Sequence, residues 1–196
     1  QGVAANNFLQ TMPVNDARKA VGMFKDEYLL DYINVEEMEV DNPEDVDEKV
    51  IEQAIVRNIK KFIMTFGRDF AYIGNQYHLE IFGEELFPDL LFLNRELNCM
   101  VVVELKKGAF KSAYIGQLQT YMKVLDDKVR KPHENPTIGI LLCKSSNKAF
   151  VEYVIRDYNS PMGVATYKTA EDMSEELRNA LPDMDEMRKL ITENNE

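Results

Sequence analysis

The spacing of apolar positions changes period twice along the chain. Over residues 47–66, Val50, Ile51, Ala54, Ile55, Ile59, Phe62, Ile63 and Phe66 recur at three- and four-residue steps, which predicts an amphipathic helix stopped by Gly67. The period then shortens to that of strands at residues 70–73, 77–82 and 86–93, with turn signals at Gly74-Asn75 and Gly83-Glu84. Residues 94–98 read as a hairpin loop into a strand at 99–105, apolar on both faces up to Glu104 and therefore central in a sheet. The helical period returns at 112–129, where Ile115, Leu118, Tyr121, Met122 and Leu125 form the buried stripe. A buried strand at 137–143, a helix at 147–156, a strand at 162–167 and a helix at 174–180 complete the series. This order predicts an α/β domain with a mixed β-sheet flanked by α-helices, antiparallel in its first half and extended by crossovers in its second.

Residues 1–45 lack that regularity. Asn, Asp, Glu and single Pro residues dominate, so the stretch reads as an arm or linker, with one short amphipathic turn or helix at 24–33. Residues 42–47 carry the acidic side chains that suit a helix N-terminus, which places the domain proper at 46–196. The chain opens Gln1-Gly2 without an initiator Met, and the expectation is a fragment or a processed chain.

Composition narrows the class. The 196 residues are 45% hydrophobic, enough for one domain with a sizeable core, and no apolar run reaches the roughly 18 residues of a membrane span. Cys99 and Cys143 both sit in apolar segments and read as buried reduced thiols, which fits a cytoplasmic setting. With two Cys and two His widely scattered, there is no zinc pattern. A net charge of −11 argues against simple coating of nucleic acid. The charge is segregated, however. Acidic groups at Glu36–Glu48 and Glu171–Glu186 flank a basic middle that contains Lys106, Lys107, Lys111, Lys123, Lys128, Arg130 and Lys131. An acidic average therefore leaves room for a basic cleft.

The candidate chemistry lies at the end of the central strand. Glu104 and Lys106 are two apart and share a face of that strand. The hairpin through 94–98 brings Asp89, which follows Pro88, alongside them. Carboxylates at the edge of apolar strands are costly without partners. Oxygen donors suit a hard cation such as Mg²⁺ or Mn²⁺, and a lysine beside them suits phosphodiester hydrolysis. The plain alternative is a surface salt bridge among Asp89, Glu104 and Lys106.

Pro88-Asp89, Glu104-Leu105-Lys106 and the following Gly116-Gln117-Leu118 resemble the PD-(D/E)XK, or restriction-endonuclease-like, nuclease superfamily. More narrowly, the chain resembles the C-terminal nuclease domain of the YhcG-type family. The blocks that carry this are residues 70–77, 89–92, 102–106, 114–118, 124–127, 136–144 and 151–153, within a span of about 24–168. The resemblance implies a metal-dependent DNA endonuclease domain, associated with restriction or mobile-element defence and accompanied in the same protein by a separate N-terminal domain that is missing here. Asp89 and Glu104 would be metal ligands, joined by the backbone carbonyl of Leu105. Lys106 would be the catalytic lysine, and Glu52 the acidic residue many members place beside the metal. Gln117 would face the scissile phosphate, with Gly116 permitting close approach of its helix. A homodimer that cuts both strands follows by analogy.

The residues leave plainer readings open. Glu52 also fits a solvated helix face, Gln76 an ordinary turn residue or one aimed at the cleft, and Tyr121 the core. Lys107 and Lys111 are candidates for nucleic-acid backbone contacts or are simply solvated. A catalytically inactive module of the same fold, binding nucleic acid or a protein partner, is the alternative function. A plain α/β domain that binds a protein through its acidic ends is a third.

Overall fold

The computed structural model describes residues 2–33, 48–67 and 69–181. In chain order the elements are β1 (Ala5–Asn6), α1 (Phe8–Thr11), α2 (Val14–Met23), β2 (Glu27–Leu30), α3 (Glu48–Arg57) and α4 (Ile59–Phe66). Then come β3 (Phe70–Asn75), β4 (Leu79–Ile81), β5 (Glu84–Leu86), β6 (Leu90–Asn94) and β7 (Cys99–Leu105). They are followed by α5 (Ala113–Lys128), β8 (Asn135–Cys143), α6 (Lys148–Ile155), β9 (Met162–Thr169) and α7 (Glu175–Ala180).

The strands make one mixed sheet in the order β1-β9-β8-β7-β6-β3, with β2 also on β9, and a separate two-stranded β4–β5 ribbon. β3, β6 and β7 run antiparallel, whereas β7, β8 and β9 are parallel and linked by the crossovers α5 and α6. Every residue of β7 is buried, as its unbroken apolar run requires of a central strand. Its side chains alternate between two clusters. Cys99, Val101, Val103 and Leu105 join one with α2, α3 and α4, while Met100 and Val102 join the other with α5 and α6. Glu104 thereby points to the α5 side.

Helix α5 lies close to the sheet, and Gly139 makes this possible. A β-carbon there would meet Met122 and come within 2.9 Å of Leu118, both on α5. Gly116, expected to permit the approach, has nothing within 4 Å of the same position, so the close contact is made from the strand side.

Residues 3–33 do not form an arm. β1 and β2 share the outer edge of β9 end to end, pairing with Gly163–Val164 and Thr166–Thr169. The segment expected as a turn or helix at 24–33 contains the strand β2, followed by a turn at 31–32; in β2, Tyr28 and Leu30 are buried and alternate with less buried residues. Its pattern is only four residues long and its partner strand lies far away in sequence, so nothing local announces it. α2 buries only Ala17 and Ala20, too small a stripe for the period to stand out. The predicted helix at 47–66 is two helices, interrupted at Asn58, whose side-chain amide donates to the Ala54 carbonyl at 3.0 Å. The expected linker at 42–47, the boundary at 45/46 and most of the two acidic groups lie outside the described residues.

Phe24 carries the N-terminal segment into the core. Its ring lies 5.6 Å from that of Phe8 and 5.9 Å from those of Phe66 and Phe70. Phe24→Ala is expected to lower stability by about 3–5 kcal/mol in chemical denaturation, the cost of a cavity in a packed core. A loss below about 1 kcal/mol, as for a surface site, would mean that this segment is an appendage after all.

Candidate active site

The β6–β7 ladder pairs Leu90 with Val103, so the next pair outward sets Asp89 opposite Glu104. Both share the α5 face, because Leu91 and Val102, two residues away from each, belong to that cluster. Asp89 donates its backbone N–H to Glu104 Oε1 at 3.2 Å, and Leu105 donates its N–H to Asp89 Oδ2 at 2.8 Å. Glu104 is 3% exposed. Burial, and then the Asp89 carboxylate beside it, push the Glu104 carboxyl well above the usual range, against weaker help from the Asp89 N–H and Lys106.

Lys106 stands two residues beyond Glu104 on the same face, just past the end of β7. Its N–H donates to the Leu142 carbonyl of β8 at 2.8 Å, and its own carbonyl accepts the Tyr167 hydroxyl at 3.2 Å. The ammonium donates to Gln117 Oε1 at 3.1 Å and lies 4.7 Å from the centroid of the Tyr114 ring. Gln117 in turn donates from Nε2 to the Tyr121 hydroxyl at 3.0 Å. Tyr114, Gln117 and Tyr121 follow at steps of three and four along α5, which stacks them on one side of the helix. The Tyr121 phenol is pushed up to about 12 by burial and by the charges of Glu104 and Asp89.

Glu52 approaches from the other side of the hairpin. It is 2% exposed, so it does not decorate a solvated face, and it sits among the buried Ile51, Ala54 and Ile55 of α3. Its carboxylate accepts from Asn75 Nδ2 at 3.1 Å and from Gln76 Nε2. The Gln76 amide also reaches Asp89 Oδ1 at 3.0 Å, so one side chain bridges two acids. Burial raises the Glu52 carboxyl, the Asn75 and Gln76 donors oppose this, and Asp89 adds to it. Gln76 has φ 44°, left-handed backbone that is sparsely populated for non-glycine residues and is held by its N–H to the Asp89 carbonyl at 2.9 Å.

Five of the expected residues thus form one continuous set: Glu52, Asp89, Glu104, Lys106 and Gln117. Gln76 joins them, with its amide committed to carboxylates. Lys107 and Lys111 are exposed beside the set, the Lys107 N–H at 3.5 Å from Glu48 Oε1 and the Lys111 ammonium at 5.9 Å from the Tyr114 ring. The sequence reading did not single out Asn75, and it assigned Tyr121 to the core. The apolar stripe of α5 hides Tyr121, although its four-residue distance from Gln117 was the available signal. Among the described residues, no three His, Cys, Asp or Glu side chains gather as a ready-made metal-binding group. The donors facing one another are the two carboxylates of Asp89 and Glu104.

The chain is 28% identical over 144 residues to a protein of Escherichia coli (strain K12) named "Putative nuclease YhcG", covering 74% of this chain and 36% of that one. The chain thus spans about a third of the length of that curated relative. Solved structures to which the chain is similar include a repair endonuclease from Pyrococcus abyssi, at 16% identity and a TM-score of 0.41, covering 64% of this chain and 48% of that one. Another is EndoMS in a complex with double-stranded DNA, at 17% identity and a TM-score of 0.41, covering 66% of this chain and 46% of that one. The family model of the YhcG PDDEXK nuclease domain matches residues 21–182, and the chain belongs to that family.

Proposed function

We propose that this chain is a divalent-metal-dependent endonuclease domain that hydrolyses phosphodiester bonds in DNA. The observation that carries the reading is the facing pair Asp89 and Glu104 with Lys106 beside it. The pair suits a hard cation: its donors are oxygens, and one of them is a buried carboxylate that otherwise favours a proton. Asp89, Glu104 and the Leu105 carbonyl would hold Mg²⁺ or Mn²⁺. When bound, the ion would polarise a phosphate oxygen and acidify a water molecule.

The remaining roles belong to the chain's own groups. The Lys106 ammonium would stabilise negative charge developing on the phosphate. Gln117 directs it through the 3.1 Å hydrogen bond, and Tyr121, by accepting from Nε2, keeps the amide oxygen turned toward the lysine. Glu52 acts on Asp89 through the Gln76 amide and fixes the position of that carboxylate. On this reading two copies would cut the two strands of a duplex. The rest of the full-length protein would add DNA contacts that a chain of net charge −11 supplies poorly. The setting would be cytoplasmic, in restriction or defence against mobile elements.

The Glu104 environment has a consequence for stability. Folded Glu104 holds its proton more tightly than the unfolded chain does, so the cation-free protein should lose stability as pH rises above the ordinary carboxylate range. Thermal melts in a chelator should therefore show Glu104→Gln to be more stable than the parent at about pH 8 and flatter between about pH 5 and pH 8. Mg²⁺ should raise the melting temperature of the parent and not of the variant. A variant less stable than the parent at both pH values would count against the buried, repelled carboxylate.

Cleavage tests the function itself. With Mg²⁺ or Mn²⁺ the parent chain should nick plasmid DNA, folded Glu104→Gln and Asp89→Asn should not, and Lys106→Met should slow turnover by about 10²–10³-fold. Undiminished cleavage by a folded Glu104→Gln protein would overturn the assignment. Metal and DNA binding without cleavage of any DNA form would move the reading to a non-catalytic module.

A further inference from the structure

Charge and aromatic surface are distributed unequally around the carboxylate pair. On the β3–β6 side, the β4–β5 ribbon presents the exposed acids Glu80, Glu84 and Glu85. On the β8 side, the loop that follows Lys106 is fastened to the loop that leads into α6. Phe110 donates its N–H to the Ser145 carbonyl at 2.8 Å, and Lys144 donates to the Gly108 carbonyl at 3.0 Å. Ala109 and Ser145 form a parallel bridge between them. This places the N-terminal end of α6 directly beside the catalytic loop, with exposed Lys107 and Lys111 in between.

Helix α6 then turns planar groups outward. Val151 and Ile155 are buried, so the opposite face carries Phe150, Tyr153 and, just past the helix end, Arg156. Phe150 is 48% exposed and Tyr153 68%. The Phe150 ring is propped edge-on by Phe110 at 6.1 Å, and the Arg156 guanidinium lies 5.7 Å from the Tyr153 ring. Three-residue steps advance about 4.5 Å along a helix, a spacing at which successive flat groups can receive successive bases.

We infer that Phe150 and Tyr153, with Arg156 beyond them, form a stacking track for a single-stranded segment of nucleic acid adjoining the scissile phosphate. The inference rests on the nuclease reading above and names its substrate class: DNA with unpaired nucleotides beside the cut. Aromatic faces bind bases that are free of a helical stack, whereas an intact duplex offers them only phosphates. Lys107 and Lys111 supply the cations that the phosphates between cut site and track require. The acidic ribbon disfavours the opposite path.

The test is binding in a chelator to a labelled oligothymidylate and to a blunt duplex of equal length. Phe150→Ala should lower the ratio of single-strand to duplex affinity about tenfold. Phe82→Ala, at a still more open aromatic in the turn of the acidic ribbon, should leave that ratio unchanged (Phe82 is 98% exposed). Because the chain contains no Trp, Phe150→Trp places a lone indole on the track that can be excited apart from the nine Tyr, and oligothymidylate should quench it where duplex does not. An unchanged ratio in Phe150→Ala, or an equal fall in Phe82→Ala, overturns the track and leaves the nuclease reading standing, the α6 face then being a surface for a protein. Absence of both binding and metal-dependent cleavage in the parent chain overturns the two together.

Discussion

Two carboxylates facing each other at the end of a ladder repel, and the geometry of this domain follows from accommodating that repulsion. Like charges directly opposite on neighbouring strands destabilise a sheet. Here the pair falls one step beyond the paired part of β6 and β7, where the chain of Asp89 is turning toward the β4–β5 ribbon. Each acid receives a backbone N–H from the other strand's end, and Gln76 adds a third donor. The closeness of α5, set by Gly139, keeps Glu104 dry and brings Gln117 within reach of Lys106. The same packing that stabilises the sheet makes the two acids compete for a positive partner.

Much of this was legible in the sequence where elements are long and regular. The uninterrupted apolar run before Glu104 marked β7 as central, and the two-residue spacing of Glu104 and Lys106 put them on one face. The hairpin loop then fixed Asp89 across from them. What escaped was non-local or short. β2 is four residues that alternate only twice, and its partner is β9, so a local reading made it a turn. Glu52 was named through the resemblance alone, because its hydrogen-bond partners Asn75 and Gln76 come from the end of another element and no local pattern sets them against a solvated helix face. Tyr121, expected in the core, is buried there, and the apolar period of α5 gave no sign that its hydroxyl also accepts from Gln117.

The acids are linked side chain to side chain from Glu52 through Gln76 to Asp89, and Lys106 is linked through Gln117 to Tyr121. Changes in α3 therefore bear on how Asp89 is held, whereas changes in α5 bear both on where the Lys106 ammonium stands and on the surroundings of Glu104. Such arrangements commonly cost stability that substitution can recover at the expense of activity.

The edge of β9 carries a further implication for how the molecule is made. Glu27 of β2 pairs with Thr166, so the first strands emerge from the ribosome long before the strand that receives them. At roughly 5–20 residues per second, the backbone of β2 waits on the order of 10 s for its partner strand, although the rings of Phe8 and Tyr28 meet Phe24 and Phe66 sooner. The central hairpin can close meanwhile, because its partners are adjacent in sequence. The hairpin that faces Asp89 with Glu104 can thus pair early, whereas the outer edge of β9 can be covered only after nearly the whole described chain has been made.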